Sequence, residues 1–183
     1  LALVPIVESM FDPNAYSRQQ AVGLWQFMAP TARSFGLQQD WWYDARRTML
    51  ERELSRTPLK SGAKILDLAA ACGGNFDICS QYGEVIGLDI SWSSIEYCKK
   101  NKNLTLVQAN AEILPFAKES IDIVVALDVL EHLEDDSCSM REIQRILKKD
   151  TGKLIFNTPA FMVLFSGHDI AFHHYRRYQI GDL

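Results

Sequence analysis

Ala63-Lys64-Ile65-Leu66-Asp67-Leu68-Ala69-Ala70-Ala71-Cys72-Gly73-Gly74-Asn75 is the stretch on which the fold of this chain turns. Its first half is a short apolar run with a charge at each break, the pattern of a strand. Its second half is a tract of small residues that lets the backbone approach a ligand closely, and a helix starting near Asn75 would present free amide groups there. Four more strand patterns follow, at residues 85–89, 104–108, 121–127 and 153–157. Helix-like segments lie between them. One is capped by Ser91 and runs through Ile95, Glu96 and Tyr97 to Lys100, and another covers residues 140–147 with apolar and charged residues at helical spacing. Strands alternating with helices build βαβ units, hence a parallel α/β sheet with right-handed crossovers. The run 121–127 is apolar on both faces, as in a sheet covered on both sides.

The chain has 183 residues, 48% hydrophobic and 23% charged, the balance of a globular protein that buries a core. A net charge of -4 gives no electrostatic footprint for nucleic acid or an anionic membrane. No apolar run is long enough to span a bilayer. Leu1 is not a start methionine, so the chain is expected to be a fragment. Cys72, Cys79, Cys98 and Cys138 form no C-x-x-C pair and read as reduced thiols of a cytosolic protein. His132, His168, His173 and His174 lack the partners of a metal centre, so no metal is expected.

In an open α/β sheet the ligand sits at the carboxyl ends of the strands. Asp89 ends the second strand, 22 residues on from Asp67, near the spacing of an acidic ribose binder. The third strand is followed by Asn110, Ala111 and Glu112, and the fourth by Asp128, Glu131 and His132. Each has a plain structural reading by itself. Asp67 would bond nearby backbone amides, Asp89 would lead into a helix, and Glu131-His132 would form a solvated helix cap. Together at successive strand ends they point to a cofactor site. No residue stands out as a general base. His132 is the nearest acid/base candidate by chemistry, with a satisfied structural histidine as the alternative.

Ile65-Leu66-Asp67-Leu68-Ala69-Ala70-Ala71-Cys72-Gly73-Gly74-Asn75, Gly87-Leu88-Asp89-Ile90-Ser91, Asn110-Ala111-Glu112-Ile113-Leu114-Pro115-Phe116 and Ala126-Leu127-Asp128-Val129-Leu130-Glu131-His132 resemble the motifs of class I methyltransferases, in that family's order and spacing. The resemblance implies a Rossmann-like sheet of about five strands. It implies that Asp67, Ala69, Ala71 and Gly73 line the loop holding the methionine part of S-adenosyl-L-methionine. It puts Asp89 on the ribose, Ile90 against the adenine, Asn110 and Ala111 at the adenine edge, and Asp128 near the methionine end and the substrate mouth. Ala69 and Ala71 stand where the family has glycines. A methyl group there is expected to crowd the cofactor and to exclude the left-handed backbone that glycine permits. The family's sheet also continues, beyond what residue 183 reaches, with another helix and two antiparallel strands. Ser166-Gly167-His168-Asp169 and His174-Tyr175-Arg176-Arg177-Tyr178 are similar to a stretch that borders the substrate in a subset of the family, which makes His168 and His174 candidates. The alternative is a polar surface loop.

Residues 1–47 have another character. They hold Trp25, Trp41 and Trp42 and helix-like stretches broken by Pro13, Gly23, Pro30 and Gly36, with no strand expected. Residues 48–60, with Glu51, Arg52, Glu53 and Arg56, read as a helix or linker that stops before Pro58. Val4-Pro5-Ile6-Val7-Glu8-Ser9-Met10-Phe11-Asp12-Pro13, Ala21-Val22-Gly23-Leu24-Trp25-Gln26-Phe27-Met28 and Tyr43-Asp44-Ala45-Arg46-Arg47 resemble the start of a lytic transglycosylase of the membrane-bound D type. Glu8 stands among apolar residues, where its charged form is disfavoured and a proton can be held for a glycosidic oxygen. The resemblance implies Glu8 as acid and then base, with Gln26 holding the sugar. The sugar's own hydroxyl would complete the cleavage, which accounts for the missing second carboxylate.

Three functions follow as expectations. The first is methyl transfer from S-adenosylmethionine to a small-molecule or glycan-related acceptor. The second is peptidoglycan cleavage by Glu8, and the third is a non-catalytic composite. A transglycosylase of the periplasm or envelope and a cytoplasmic cofactor disagree about compartment. The chain therefore reads as a composite of a helical fragment at 1–47, a connection at 48–60 and a methyltransferase domain at 61–183.

Overall fold

A computed structural model describes residues 21–22, 27–28, 41–70, 73–101, 104–179 and 181–182. In chain order it begins with two short antiparallel strands, β1 (Ala21–Val22) and β2 (Phe27–Met28). No strand is expected there from the sequence, because two paired residues are too few to leave an alternating pattern. Next comes α1 (Trp41–Ser55), one continuous helix that takes in the first half of the stretch read as helix or linker and ends ahead of Pro58.

The chain divides into two compact units, Leu50–Asn157 and the remainder. The sheet of the first unit consists of β3 (Lys64–Leu68), β4 (Glu84–Asp89), β5 (Thr105–Gln108), β6 (Ile123–Leu127) and β7 (Lys153–Asn157). The order is β5-β4-β3-β6-β7 and every pairing is parallel. All five strands coincide with the sequence expectation to within two residues. The fourth starts at Ile123, while Ile121 forms only an isolated bridge to Leu147. Ile123, Val124, Val125 and Ala126 are all 0% exposed, so β6 is covered on both faces. Leu50 and Leu54, one turn apart on α1, join Ile65, Ile78, Cys79, Ile123 and Val125 in one core.

The helices of this unit are α2 (Phe76–Cys79), α3 (Trp92–Asn101) and α4 (Asp136–Ile146). Ser91 caps α3 as expected, its hydroxyl accepting the Ser94 N–H at 3.3 Å. The fourth strand is followed by a 3-10 turn, Leu130–His132. α4 starts four residues before its apolar spacing begins, because Asp135 accepts the Cys138 N–H at 2.9 Å and caps an otherwise polar first turn. Gly87 lets α2 lie directly on β4: a Cβ there would stand 2.7 Å from the Phe76 ring and 2.8 Å from Leu106. The chain runs from β3 outward through β4 to β5, then returns to the other side of β3 for β6. The order therefore reverses between β3 and β6, and a crevice opens at their carboxyl ends.

The described part of the other unit includes a 3-10 turn at Met162–Leu164 and α5 (Gly167–Ala171). A parallel bridge joins Ala160 to Tyr178, with Phe161 N–H on the Tyr178 carbonyl at 2.9 Å. At its centre is Asp169, 0% exposed. One carboxylate oxygen accepts Arg177 Nε at 2.8 Å and lies 3.1 Å from His174 Nδ1. The other accepts Arg177 Nη2 at 2.9 Å and the Ser166 N–H at 2.8 Å. The polar-surface-loop reading is thus corrected: the charged residues Asp169 and Arg177 are inside, and apolar Phe161, Val163 and Ile170 are exposed. A buried charge is tolerated only when paired and hydrogen-bonded, and the bidentate Arg177–Asp169 pair meets that condition.

Burial pushes the Asp169 carboxyl up, but Arg177, the Ser166 N–H and His174 outweigh it and hold it down at about 2. Burial pushes His174 below its ordinary value despite the neighbouring carboxylate. Both shifts weaken the fold on acidification. His174 contributes fully above about 6.5 and loses that contribution as pH falls below it. Asp169 contributes fully above about 4 and loses it as pH falls towards about 2. The urea midpoint is expected to be level above neutrality, to decline below about pH 6.5 and to fall further below about pH 4. Asp169→Asn should flatten the lower limb, as urea titrations at stepped pH would show.

Candidate functional site

The last residue but one of β3 is Asp67, 1% exposed, whose Oδ1 accepts the Asn75 side-chain N–H at 3.0 Å. Its register puts it level with Gly87 on β4 and Val125 on β6. Asn75 stands at the N-cap of α2 without capping it, because its carboxamide is turned to Asp67 instead. The Asn75 Oδ1 is buried and has no hydrogen-bond partner. Cys79 lies in the core below. Burial, then the Asp67 and Asp77 carboxylates, push its thiol up to about 12, so it stays protonated and is no nucleophile.

The loop after β3 is tied to β4 by the Ala70 N–H, which donates to the Leu88 carbonyl at 2.9 Å. Ala69 is exposed at its start and has φ of 57°. The expectation that a methyl excludes the left-handed backbone is therefore wrong at this position. The chain adopts the glycine conformation with an alanine, a strain of about 1–2 kcal/mol. Gly73, at φ of 72°, is the glycine that remains: a Cβ there would come within 3.0 Å of Leu104. Ala71 lies outside the described residues.

β4 ends in Asp89, half-buried, whose Oδ1 accepts the Ser91 N–H at 2.8 Å. The residue thus leads into α3, as its plain reading expects, and also stands at the sheet edge. Ile90 beside it is 69% exposed. After β5 the Ala109 N–H donates to the Asp89 carbonyl at 3.1 Å, joining the two strand ends. Asn110 is exposed, its Oδ1 accepting the Glu112 N–H at 2.9 Å, and Ala111 is buried. After β6 comes Asp128 at φ of 54°. Asn157 at the end of β7 holds it, donating from Nδ2 to the carboxylate at 2.7 Å and accepting the Asp128 N–H at 3.2 Å. Glu131 is 0% exposed, so it is no solvated cap, whereas His132 is exposed.

Asp67, Ala69, Gly73, Asp89, Ile90, Asn110, Ala111 and Asp128 thus lie on the segments that leave the carboxyl ends of four neighbouring strands. Glu8 and Gln26 fall outside the described residues, as does the side chain of His168. His174 belongs to the Asp169 cluster of the other unit. Asn75 and Asn157 do not stand out in the sequence. Their one signal is position, Asn157 being the last residue of an apolar run and Asn75 the first after the glycines. Asn157 Oδ1, like Asn75 Oδ1, is buried without a hydrogen-bond partner. An acceptor carboxylate, an exposed apolar side chain beside it and two buried carboxamide oxygens suit a ligand with hydroxyl and ammonium donors and a flat apolar face.

Two protein families match the chain: the methyltransferase domain over residues 66–156 and the transglycosylase SLT domain over residues 1–68. The second match runs past residue 47 and meets the first in β3. A ubiquinone/menaquinone biosynthesis C-methyltransferase of Shewanella frigidimarina is 30% identical over 154 residues, which is 75% of this chain and 57% of that protein. The membrane-bound lytic murein transglycosylase D of Escherichia coli K12 is 52% identical over 50 residues, 27% of this chain and 11% of that protein. The crystal structure of the PH0226 protein from Pyrococcus horikoshii OT3 is 31% identical, with a TM-score of 0.54 over 63% of this chain and 57% of that one. The chain spans a little over half the length of the methyltransferase it matches.

Glycine at position 69 would relieve the left-handed strain, about 1–2 kcal/mol, against roughly 0.5–1 kcal/mol of added chain entropy. Ala69→Gly is therefore expected to stabilise by a few tenths to about 1 kcal/mol, read as a raised thermal midpoint. A lowered midpoint would show that the methyl group makes contacts that outweigh its strain.

Proposed function

We propose, for a chain whose residues 66–156 match the methyltransferase domain, that this domain binds S-adenosylmethionine at the carboxyl ends of β3 to β6 and methylates a small-molecule or glycan-related acceptor. The observation that carries the reading is that Asp67, Asp89, Asn110 and Asp128 lie at or just past the carboxyl ends of four neighbouring strands, which include the two between which the strand order reverses. Asp89 accepts the two ribose hydroxyls, and exposed Ile90 covers one face of the adenine. Asn110 and Ala111 address the adenine edge. The loop from Asp67 to Gly73 and the oxygen of Asn75 face the methionine part, and Asp128 borders the acceptor. The cofactor supplies an electrophilic methyl group on a sulfonium. The chain's own share is alignment, since positioning the acceptor in line can supply much of the rate. Exposed His132 is the side chain with the chemistry to take a proton from the acceptor.

The similarity to a quinone-biosynthesis enzyme supports the small-molecule acceptor. A domain that uses this cofactor works in the cytoplasm, where the cofactor is made. Among the described residues no helix is long and apolar enough to cross a membrane.

The similarity of residues 1–68 to transglycosylases supports a second reading, glycan cleavage with Glu8 as acid and base and Gln26 on the sugar.

Calorimetry with S-adenosylhomocysteine tests the first reading. The wild type should bind, and Asp89→Ala should weaken binding about 100-fold, roughly 2.7 kcal/mol. An absence of heat at millimolar ligand would sink it. For the second reading, the chain incubated with peptidoglycan should release anhydro-muropeptides that Glu8→Gln does not. Equal release by both proteins, or none by either, refutes it.

A further inference from the structure

The loop between β5 and β6 has little backbone bonding of its own. Ile113 N–H donates to Asn110 at 3.1 Å and Phe116 N–H to Leu114 at 2.8 Å. Its near end is tied to β4 through Ala109. Its far end is tied by backbone bonds, Glu119 N–H to Arg145 at 3.0 Å and Ser120 N–H to Ile146 at 2.8 Å, and its middle is gripped by side chains of α4, about 30 residues further on. Glu142 Oε2 accepts the Leu114 N–H at 2.9 Å. Arg145 donates from Nη1 to the Phe116 carbonyl at 2.8 Å and from Nη2 to the Leu114 carbonyl at 2.9 Å. The two side chains lock each other in a fork, Nε to Oε1 at 2.7 Å and Nη2 to Oε2 at 2.8 Å. Arg145 first and the Leu114 N–H second hold the Glu142 carboxyl at about 2, so the fork is intact across the physiological range. Cys138 adds a contact from Sγ to the Glu112 carbonyl at 3.5 Å.

We propose that Glu142 and Arg145 are positioning residues for the adenine end of the cofactor, fixing the loop that presents Asn110 and Ala111. The proposal rests on the cofactor reading above. Neither side chain stands at the strand ends where that cofactor is read. Their effect runs through the backbone of residues 114–116, where they engage the Leu114 N–H and the Leu114 and Phe116 carbonyls. Arginine is required because its planar fork meets one carboxylate and two carbonyls together, which the single ammonium of lysine cannot span. A loop released at Leu114 and Phe116 would still close over a purine, but without a fixed set of donors and acceptors at the base edge.

The test compares affinity for S-adenosylhomocysteine with affinity for S-inosylhomocysteine, which differs only by reversing the donors and acceptors at that edge. The wild type is expected to prefer the adenine ligand by about tenfold or more. In Arg145→Lys and Arg145→Met the preference should fall towards one, while the inosine ligand keeps its affinity within about twofold. A pair that only stabilises the fold would lower the thermal midpoint and leave the preference intact, and that result overturns the proposal. If Arg145→Met does not fold, Glu142→Gln, which keeps the arginine and one acceptor oxygen, is read in the same way. A wild type that binds both ligands equally also overturns it, with cofactor binding left standing. A wild type that binds neither removes the cofactor reading itself.

Discussion

β3 lies between β4 and β6 with Ile65, Leu66, Asp67 and Leu68 at most 1% exposed. A parallel strand in that place gives its backbone groups to both neighbours and its side chains to cores above and below. Its exit runs through the small residues Ala69, Ala70 and Gly73. The buried Asp67 follows from the same constraint. It lies near the end of a buried strand, 1% exposed, and takes a side-chain partner from the start of the next helix, Asn75. The site is the set of groups that this burial leaves at the sheet edge.

Strain and charge gather at that edge. Ala69 and Asp128, the first residues after β3 and β6, both sit at positive φ. Each is held where surrounding bonds over-determine the backbone, Ala69 by the Ala70 tie to β4 and Asp128 by Asn157. At position 69 an alanine thus holds the left-handed backbone that favours glycine. It adds local strain, and it places a methyl group at the mouth of the crevice.

The expected end of the first resemblance, at residue 47, falls inside one element. α1 runs unbroken through the boundary at residues 47–48, and its second half supplies Leu50 and Leu54 to the sheet core. Residues inside the expected connection, Leu50 and Leu54, are therefore members of the core of the unit that holds the sheet. At the other end of the chain, segment 158–182 inverts the usual rule of polarity. Asp169 and Arg177 satisfy each other and can be buried, while Phe161, Val163 and Ile170 lie outside.

The sequence by itself determined the five strands, their parallel order of appearance and the helices between them, because period and composition are local properties that each segment carries alone. It also determined the residues at the strand ends, since the carboxyl end of a strand is a position along the chain. It could not reveal the start of α4, which depends on one capping bond from Asp135, or the backbone state of Ala69. Nor could it reveal the partners of Asp67, Asp128, Asp169 and Glu142. Asn157 lies 29 residues from Asp128, and Leu114 lies 28 from Glu142. Contacts of that kind exist only once the sheet has closed, because burial in the folded core decides which polar groups must find each other.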